Sequence, residues 1–244
     1  MSVIADDVKL AAYLAEKAGK LLLQVRDDGL LSLEALGKAG DEAANRYLCN
    51  AIRVQRPDDG LLSEEEKDNP DRLTKSRVWI VDPLDGTREY GEGRADWAVH
   101  VALAVDGVPL IGAVALPCLD LVLRTDQPKP VAPAPEKLRM VVSRTRPAAE
   151  ALAVAEALGA ELIPMGSAGA KAMTVVRGEA DIYLHTGGQY EWDSCAPAAV
   201  ALAHGLHVSR VDGSPLVYNQ ADVYMPDLLI CRKKHAAQIL ALVN

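Results

Sequence analysis

An α/β fold in two lobes, an α+β N-terminal lobe followed by an α/β C-terminal lobe, is predicted by three observations on this 244-residue chain. Apolar strand patterns with a hairpin signal fill much of the first half. A proline-rich segment interrupts the middle. Strand and helix patterns then alternate, which is the signature of an α/β layer. The division this predicts is residues 1–126 for the first lobe, 127–136 for a connector and 137–244 for the second lobe, with mixed sheet and helices in layers. Half the residues are hydrophobic, so a chain of this length can bury a substantial core.

The elements follow in order. From Val8 to Val25 the apolar residues Val8, Ala12, Ala15, Ala18, Leu22 and Val25 fall near helical spacing, with Lys9, Glu16, Lys17 and Lys20 elsewhere on the wheel. A second helix is predicted from about Asp41 to Arg53, and the turn RPDDG leads into a strand-like Leu61-Leu62 pair. Trp79, Ile80 and Val81 read as a short buried strand. Trp97 to Val105 and Val108 to Leu116 are strands joined by the hairpin dipeptide Asp106-Gly107. Gln127 to Pro135, QPKPVAPAP, has four prolines and no periodicity and reads as the stiff connector. Beyond it the pattern gives a strand at Leu138 to Ser143, a helix at Ala148 to Leu158 stopped by Gly159, a strand near Leu162, and helices starting near Ala168 and Ser194.

The formal net charge of -8 and a pI near 5.2 argue against a nucleic-acid or acidic-membrane surface, which would need clustered Lys and Arg. A small anion is still allowed where bound cations supply local positive charge. Cys49, Cys118, Cys195 and Cys231 form neither a CxxC pair nor a zinc pattern, so they read as reduced core thiols. The opening MSVIADDVKL is acidic where a secretion signal would be basic, and no apolar run approaches the ~20 residues of a membrane span. The expected location is cytoplasmic.

The chemistry concentrates in Val78 to Tyr90, VWIVDPLDGTREY. Pro83 fixes φ and removes a donor, so Asp82, Asp85 and the carbonyl of Leu84 can point to one side as hard oxygen ligands. The backbone N–H groups of Gly86 and Thr87 suit a phosphate oxygen, and the Thr87 hydroxyl can relay a proton. Two solvated aspartates in a turn are the plain reading of a bare DxxD, but the surrounding string favours metal-dependent phosphate chemistry. Three other stretches can join this loop. LLSEEE delivers Glu64 and Glu65 to a turn; GQYEWDSCAP places Asp193 where a helix N-cap belongs; and GSAGAK, Gly166 to Lys171, opens a helix able to receive an anion. Taken singly these are a solvated acidic face, a cap and a small-residue turn.

In this order and at these separations, EE, DPLDGT and WD resemble the inositol monophosphatase superfamily of magnesium-dependent, lithium-sensitive phosphatases over nearly the whole chain. DGTREY is similar to the CysQ branch, the 3'(2'),5'-bisphosphate nucleotidases. TREYGEGRADWAVHVAL, GSAGAKAM, GGQYEWDSCAP and DGSPLVYNQ are particularly similar to its actinobacterial members. The resemblance implies a layered αβαβα sugar-phosphatase fold. It implies that Glu64, Asp82, the Leu84 carbonyl, Asp85 and Asp193 hold two magnesium ions, and that Asp41 with Thr87 orients and deprotonates the attacking water. A third ion is left open, because this chain reads KAGD at Lys38 to Asp41 where relatives carry a TxAD-like string. Gly86 and Thr87 would bind the scissile phosphate, with Ser143, Arg144, Gly166, Ser167, Lys171 and Asp193 facing the rest of the substrate.

The implied reaction removes the 3'-phosphate of 3'-phosphoadenosine 5'-phosphate, giving AMP and phosphate, or that of phosphoadenosine phosphosulfate, giving APS, with a role in sulfur-assimilation balance. The alternatives are an inositol-1-phosphate or fructose-1,6-bisphosphate phosphatase and, from another class, a non-catalytic metal-dependent nucleotide-binding regulator. The expected partner is a phosphorylated nucleotide, not nucleic acid or membrane, and family habit favours a homodimer. Mutual repulsion among Glu64, Asp82, Asp85 and Asp193 predicts that Asp85→Asn slightly stabilises the metal-free fold.

Overall fold

The computed structural model describes residues 3–133 and 135–243; Ala134, inside the predicted connector, lies outside the described residues. Helix α1 (Asp7–Asp27) is capped by the Asp6 carboxylate, which accepts the N–H groups of Val8 and Lys9. Helix α2 spans Leu33–Gln55 and so begins eight residues before the predicted Asp41. The glycines that make LLSLEALGKAG look like a loop serve close packing instead. A Cβ on Gly37 would stand 2.7 Å from Thr87 Cγ2, and one on Gly40 would stand 2.9 Å from the Tyr90 ring.

The first sheet has strand order β1 (Gly60–Ser63), β2 (Arg77–Asp85), β3 (Ala98–Val105), β4 (Val108–Leu116) and β5 (Leu121–Arg124). β1 runs parallel to β2 and the remaining pairs are antiparallel. The β3–β4 hairpin turns through Asp106 and Gly107 with φ of 49° and 79°, the positive pair a type I′ turn requires. Helix α3 (Thr87–Gly91) follows β2 directly.

The second sheet contains β6 (Arg139–Ser143), β7 (Glu161–Met165), β8 (Ile182–Tyr190), β9 (His207–Ser209) and β10 (Tyr224–Cys231), ordered β7-β6-β8-β10-β9. β7, β6 and β8 are parallel, and β10 is antiparallel to both its neighbours. Its helices are α4 (Ala149–Leu158), α5 (Ala168–Val176), α6 (Glu191–Ala203) and α7 (Lys233–Val243). α4 ends at Gly159, as predicted, with φ of 61°.

Three cores order these parts. α1 and α2 pack on one face of the first sheet, through Leu14, Leu22, Leu48, Trp79 and Val81 among others. α5 and α6 fill the space between the sheets, where Val78 and Ile80 meet Met173, Ala196 and Leu228. α4 and α7 cover the outer face of the second sheet, around Met140, Val154, Ile182 and Ile239. The result is five layers, αβαβα. Because β2 is covered on both faces, Val78 and Ile80 face one core and Trp79 and Val81 the other, and the run reads as continuously apolar.

One expectation differs from the structure. α6 begins at Glu191 rather than near Ser194, so Asp193 is its third residue and not its N-cap; its Oδ2 accepts the Tyr190 N–H at 2.7 Å. Trp97, just ahead of β3, is fully buried, edge-on to Tyr90 with ring centroids 5.0 Å apart. No described helix is long and apolar enough to cross a membrane. Cys49, Cys195 and Cys231 are buried free thiols and Cys118 is half-buried.

Candidate active site

In a regular strand, residues three apart point to opposite faces. Asp82 and Asp85 escape this rule because β2 is bulged between them: Asp82 pairs with His100 and Asp85 with Ala98, three residues against two. The extra residue, in a segment containing Pro83, returns Asp85 to the side of Asp82. Asp193, from the first turn of α6, completes the group. Carboxylate oxygens of Asp82, Asp85 and Asp193 all lie within 4.8 Å of one another.

The three are held differently. Asp85 accepts from Ser167 Oγ and from the N–H groups of Ala168 (3.0 Å) and Gly169 at the start of α5, and His100 Nε2 lies 3.2 Å from its Oδ2. Burial alone would raise its pKa, but the His100 charge and these donors hold it down at about 2. Among the described residues Asp82 accepts only from Leu84 N–H, and burial, then the charges of Glu64 and Asp85, push it well above the ordinary value. Asp193 is pushed up to about 7 by burial and by Asp85. Glu64, just after β1, is solvent-exposed, yet partial loss of hydration among its neighbours, then the charges of Asp193 and Asp41, raise it to about 8.

Beside this cluster, Thr87 Oγ1 donates in a shared arrangement toward Asp41 Oδ2 at 3.0 Å and the Leu84 carbonyl at 3.1 Å. Asp41 is 6% exposed, and burial followed by the Glu65 charge raises it to about 7. Its Oδ1 is buried without a hydrogen-bond partner. Hard carboxylate oxygens that repel one another, one of them orphaned, are a donor set suited to a hard divalent cation. A cavity of about 710 Å³ opens here, lined by Asp41, Glu65, Thr87 and Arg88.

On the other side of Arg88 lies a cavity of about 430 Å³ lined by Ser143, Arg144, Arg146, Gly166, Ser167 and Lys171, with Glu89 in its wall. Five of the six residues expected to face the rest of the substrate, all but Asp193, therefore converge here, but not as free groups. Arg144 is paired with Glu89 at 2.6 Å and Glu92 at 2.7 Å. Ser143 Oγ accepts the Arg146 N–H. Gly166 donates its N–H to Asp96 at 2.6 Å. Lys171 is 5% exposed, and its Nζ donates to the carbonyls of Gly166 (3.2 Å) and Ser167 (2.6 Å). Burial lowers its pKa against the pull of Asp85 and Glu89.

The sequence reading missed His100 and Glu89. His100 was embedded in the apolar run AVHVALAV, where an inward polar residue was the available signal; Glu89 sits in DGTREY beside residues already singled out.

The profile of the inositol monophosphatase family matches residues 4–244. The chain belongs to the inositol monophosphatase family. A Mycobacterium leprae relative named 3'-phosphoadenosine 5'-phosphate phosphatase is 49% identical across 98% of this chain and 93% of its own length. The Escherichia coli K12 3'(2'),5'-bisphosphate nucleotidase CysQ is 30% identical over 87% of this chain and 94% of its own. Among solved structures, CysQ from Bacteroides thetaiotaomicron superposes with a TM-score of 0.79 at 27% identity, covering 92% of this chain and 96% of that one. Inositol monophosphatases are metal-dependent, and the acidic cluster is where this member can hold its cation.

Proposed function

We propose that this protein is a magnesium-dependent 3'-phosphoadenosine 5'-phosphate phosphatase, releasing the 3'-phosphate as inorganic phosphate and leaving AMP, with phosphoadenosine phosphosulfate as a second substrate. The observation that carries the chemistry is the convergence of Asp82, Asp85 and Asp193 next to the hydrogen-bonded Thr87–Asp41 pair. The substrate rests on relatives bearing that name along nearly the whole chain.

Glu64, Asp82, the Leu84 carbonyl, Asp85 and Asp193 would hold two magnesium ions. Once bound, the ions supply concentrated positive charge for an in-line displacement at phosphorus. The chain's own residues handle position and protons. Thr87 Oγ1, already donating toward Asp41, can accept a proton from water as it passes its own to Asp41 Oδ2. Asp41, raised to about 7, is poised to take that proton near neutral pH. Backbone N–H groups of Gly86 and Thr87 are assigned to the scissile phosphate. The cavity lined by Arg144, Arg146 and Lys171, with Glu89 in its wall, is assigned to the second phosphate and nucleoside, between lobes comprising residues 1–126 and 137–244. Binding energy from those remote groups improves positioning at the reacting centre. No residue need form a covalent intermediate.

Phosphate release from 3'-phosphoadenosine 5'-phosphate, with and without magnesium, tests the reading. Thr87→Ala and Asp41→Asn should each lower kcat by about 100-fold or more with little change in KM. Near-native turnover in either variant would remove the pair from the mechanism.

A further inference from the structure

We infer that His100 is a positioning residue for the metal centre, fixing Asp85 relative to Asp193 at the spacing that sets magnesium affinity. The inference rests on the metal reading proposed above. His100 is completely buried in the middle of β3, where its neighbours Val99, Val101 and Ala102 are core. Its two ring nitrogens reach groups on different elements. Nδ1 is hydrogen-bonded at 3.0 Å to the carbonyl of Trp192, the residue immediately before Asp193 in α6, and Nε2 makes a charge contact, not an aligned hydrogen bond, 3.2 Å from Asp85 Oδ2 at the end of β2. Nδ1 is also 4.0 Å from Asp82 Oδ2.

The third wall is α5. A Cβ on Gly169 would lie 1.9 Å from His100 Nε2, so the ring occupies space that any larger residue there would take. Gly169 also donates its N–H to Asp85. One rigid ring thus touches the strand end carrying Asp82 and Asp85, the helix that holds Asp85, and the first turn that presents Asp193. A core position needs only apolar volume. Two polar contacts on opposite sides of one ring instead fix a distance, since the ring can neither stretch nor rotate without losing one of them. Groups that orient metal-binding carboxylates typically change metal affinity by about 10- to 100-fold when removed.

Three variants of the full chain test this, each read by calorimetric titration of the folded metal-free protein with magnesium and by its melting temperature. His100→Leu removes both contacts. His100→Asn keeps a donor near Trp192 but cannot span to Asp85, and Gly169→Ala keeps the histidine while displacing it. Should His100→Leu not fold, the other two carry the comparison. The expected result is magnesium Kd raised about 10- to 100-fold in every folded variant, measured well below its melting temperature, with Gly169→Ala behaving like the His100 variants. A lowered melting temperature with wild-type magnesium Kd would show that His100 is core packing and overturn the inference. Wild-type protein that binds no magnesium would instead overturn the metal reading, and the inference with it.

Discussion

Asp82 and Asp85 sit three residues apart, yet burial drives one carboxyl up while His100 and the α5 donors hold the other at about 2. The sequence-based expectation that Asp85→Asn relieves repulsion therefore falls on the wrong residue. Asp85 is the carboxylate that its surroundings stabilise as an anion. Asp85→Asn should destabilise the metal-free protein by about 3 kcal/mol, because an amide NH₂ would face backbone donors that now meet an oxygen. Asp82→Asn should raise the metal-free melting temperature, since the amide oxygen can still accept from Leu84 N–H while a group whose ionised form is disfavoured by burial and its neighbours is replaced by a neutral one. Both should abolish magnesium-dependent turnover. Urea unfolding in chelator separates the two, and equal effects on stability would contradict the assignment.

The raised groups also set a pH dependence. Asp41 and Asp193 at about 7 and Glu64 at about 8 keep protons in the folded metal-free protein that the unfolded chain releases near pH 4. The folded state binds more protons across that interval, so metal-free stability should fall as pH rises from about 5 to 8. Asp85 runs the other way: its contribution is present above about pH 4 and is lost as pH falls toward 2. Magnesium must displace the retained protons, so its apparent affinity should rise with pH across the same window. Melting temperatures in chelator and magnesium titrations at pH 5.5 and 8 check both trends; a metal-free melting temperature that climbs with pH would contradict them.

At the scale of elements, the entry to α6 is built by long-range contacts. Glu191 is fully buried and its carboxylate accepts the N–H groups of Asn219 and Gln220, both at 2.7 Å. Arg72 ties the same loop down through Asn219 Oδ1 and the Gln220 carbonyl while gripping Asp68. This gives the DGSPLVYNQ stretch a structural role. Glu191→Ala leaves two buried N–H groups without their acceptor and should cost about 2 to 4 kcal/mol in urea unfolding. A loss below about 0.5 kcal/mol would mean the loop is held by other contacts.

The same scale shows what was legible. The β3–β4 hairpin, α4 with its Gly159 stop, and the strand leading into DPLDGT carry local turn chemistry or periodicity, and all were readable. The start of α2 was hidden because Gly37 and Gly40 answer to the approach of α3, not to local preference. β5, β8, β9, β10 and α7 were not assigned from the sequence. The β8 end, HTGGQY, is only partly buried and gives little alternation. Asp41, Asp82, Asp85 and Thr87 were singled out from a local string and a resemblance; the bulge that aligns the aspartates, and the ring of His100 behind them, exist only once β2 and β3 are paired.

For the whole molecule, the five layers make the candidate site a seam. Asp41, Asp82, Asp85 and Thr87 come from the first half of the chain, Ser167, Gly169 and Asp193 from the second, and the core between the sheets draws on both. A ligand that bridges the seam stabilises only the folded state. Magnesium at 100 times its Kd should therefore add about 2.7 kcal/mol and raise the melting temperature by several degrees. Failure of magnesium to shift the melting temperature of wild-type protein, with calcium also silent, would count against any divalent site at this seam. The most direct measurement is phosphate release by wild-type protein in magnesium from 3'-phosphoadenosine 5'-phosphate, inositol 1-phosphate and fructose 1,6-bisphosphate under identical conditions. Highest kcat/KM on the bisphosphate nucleotide, abolished by chelator, is the predicted result; higher kcat/KM on inositol 1-phosphate or fructose 1,6-bisphosphate, or release that survives chelation, would contradict it.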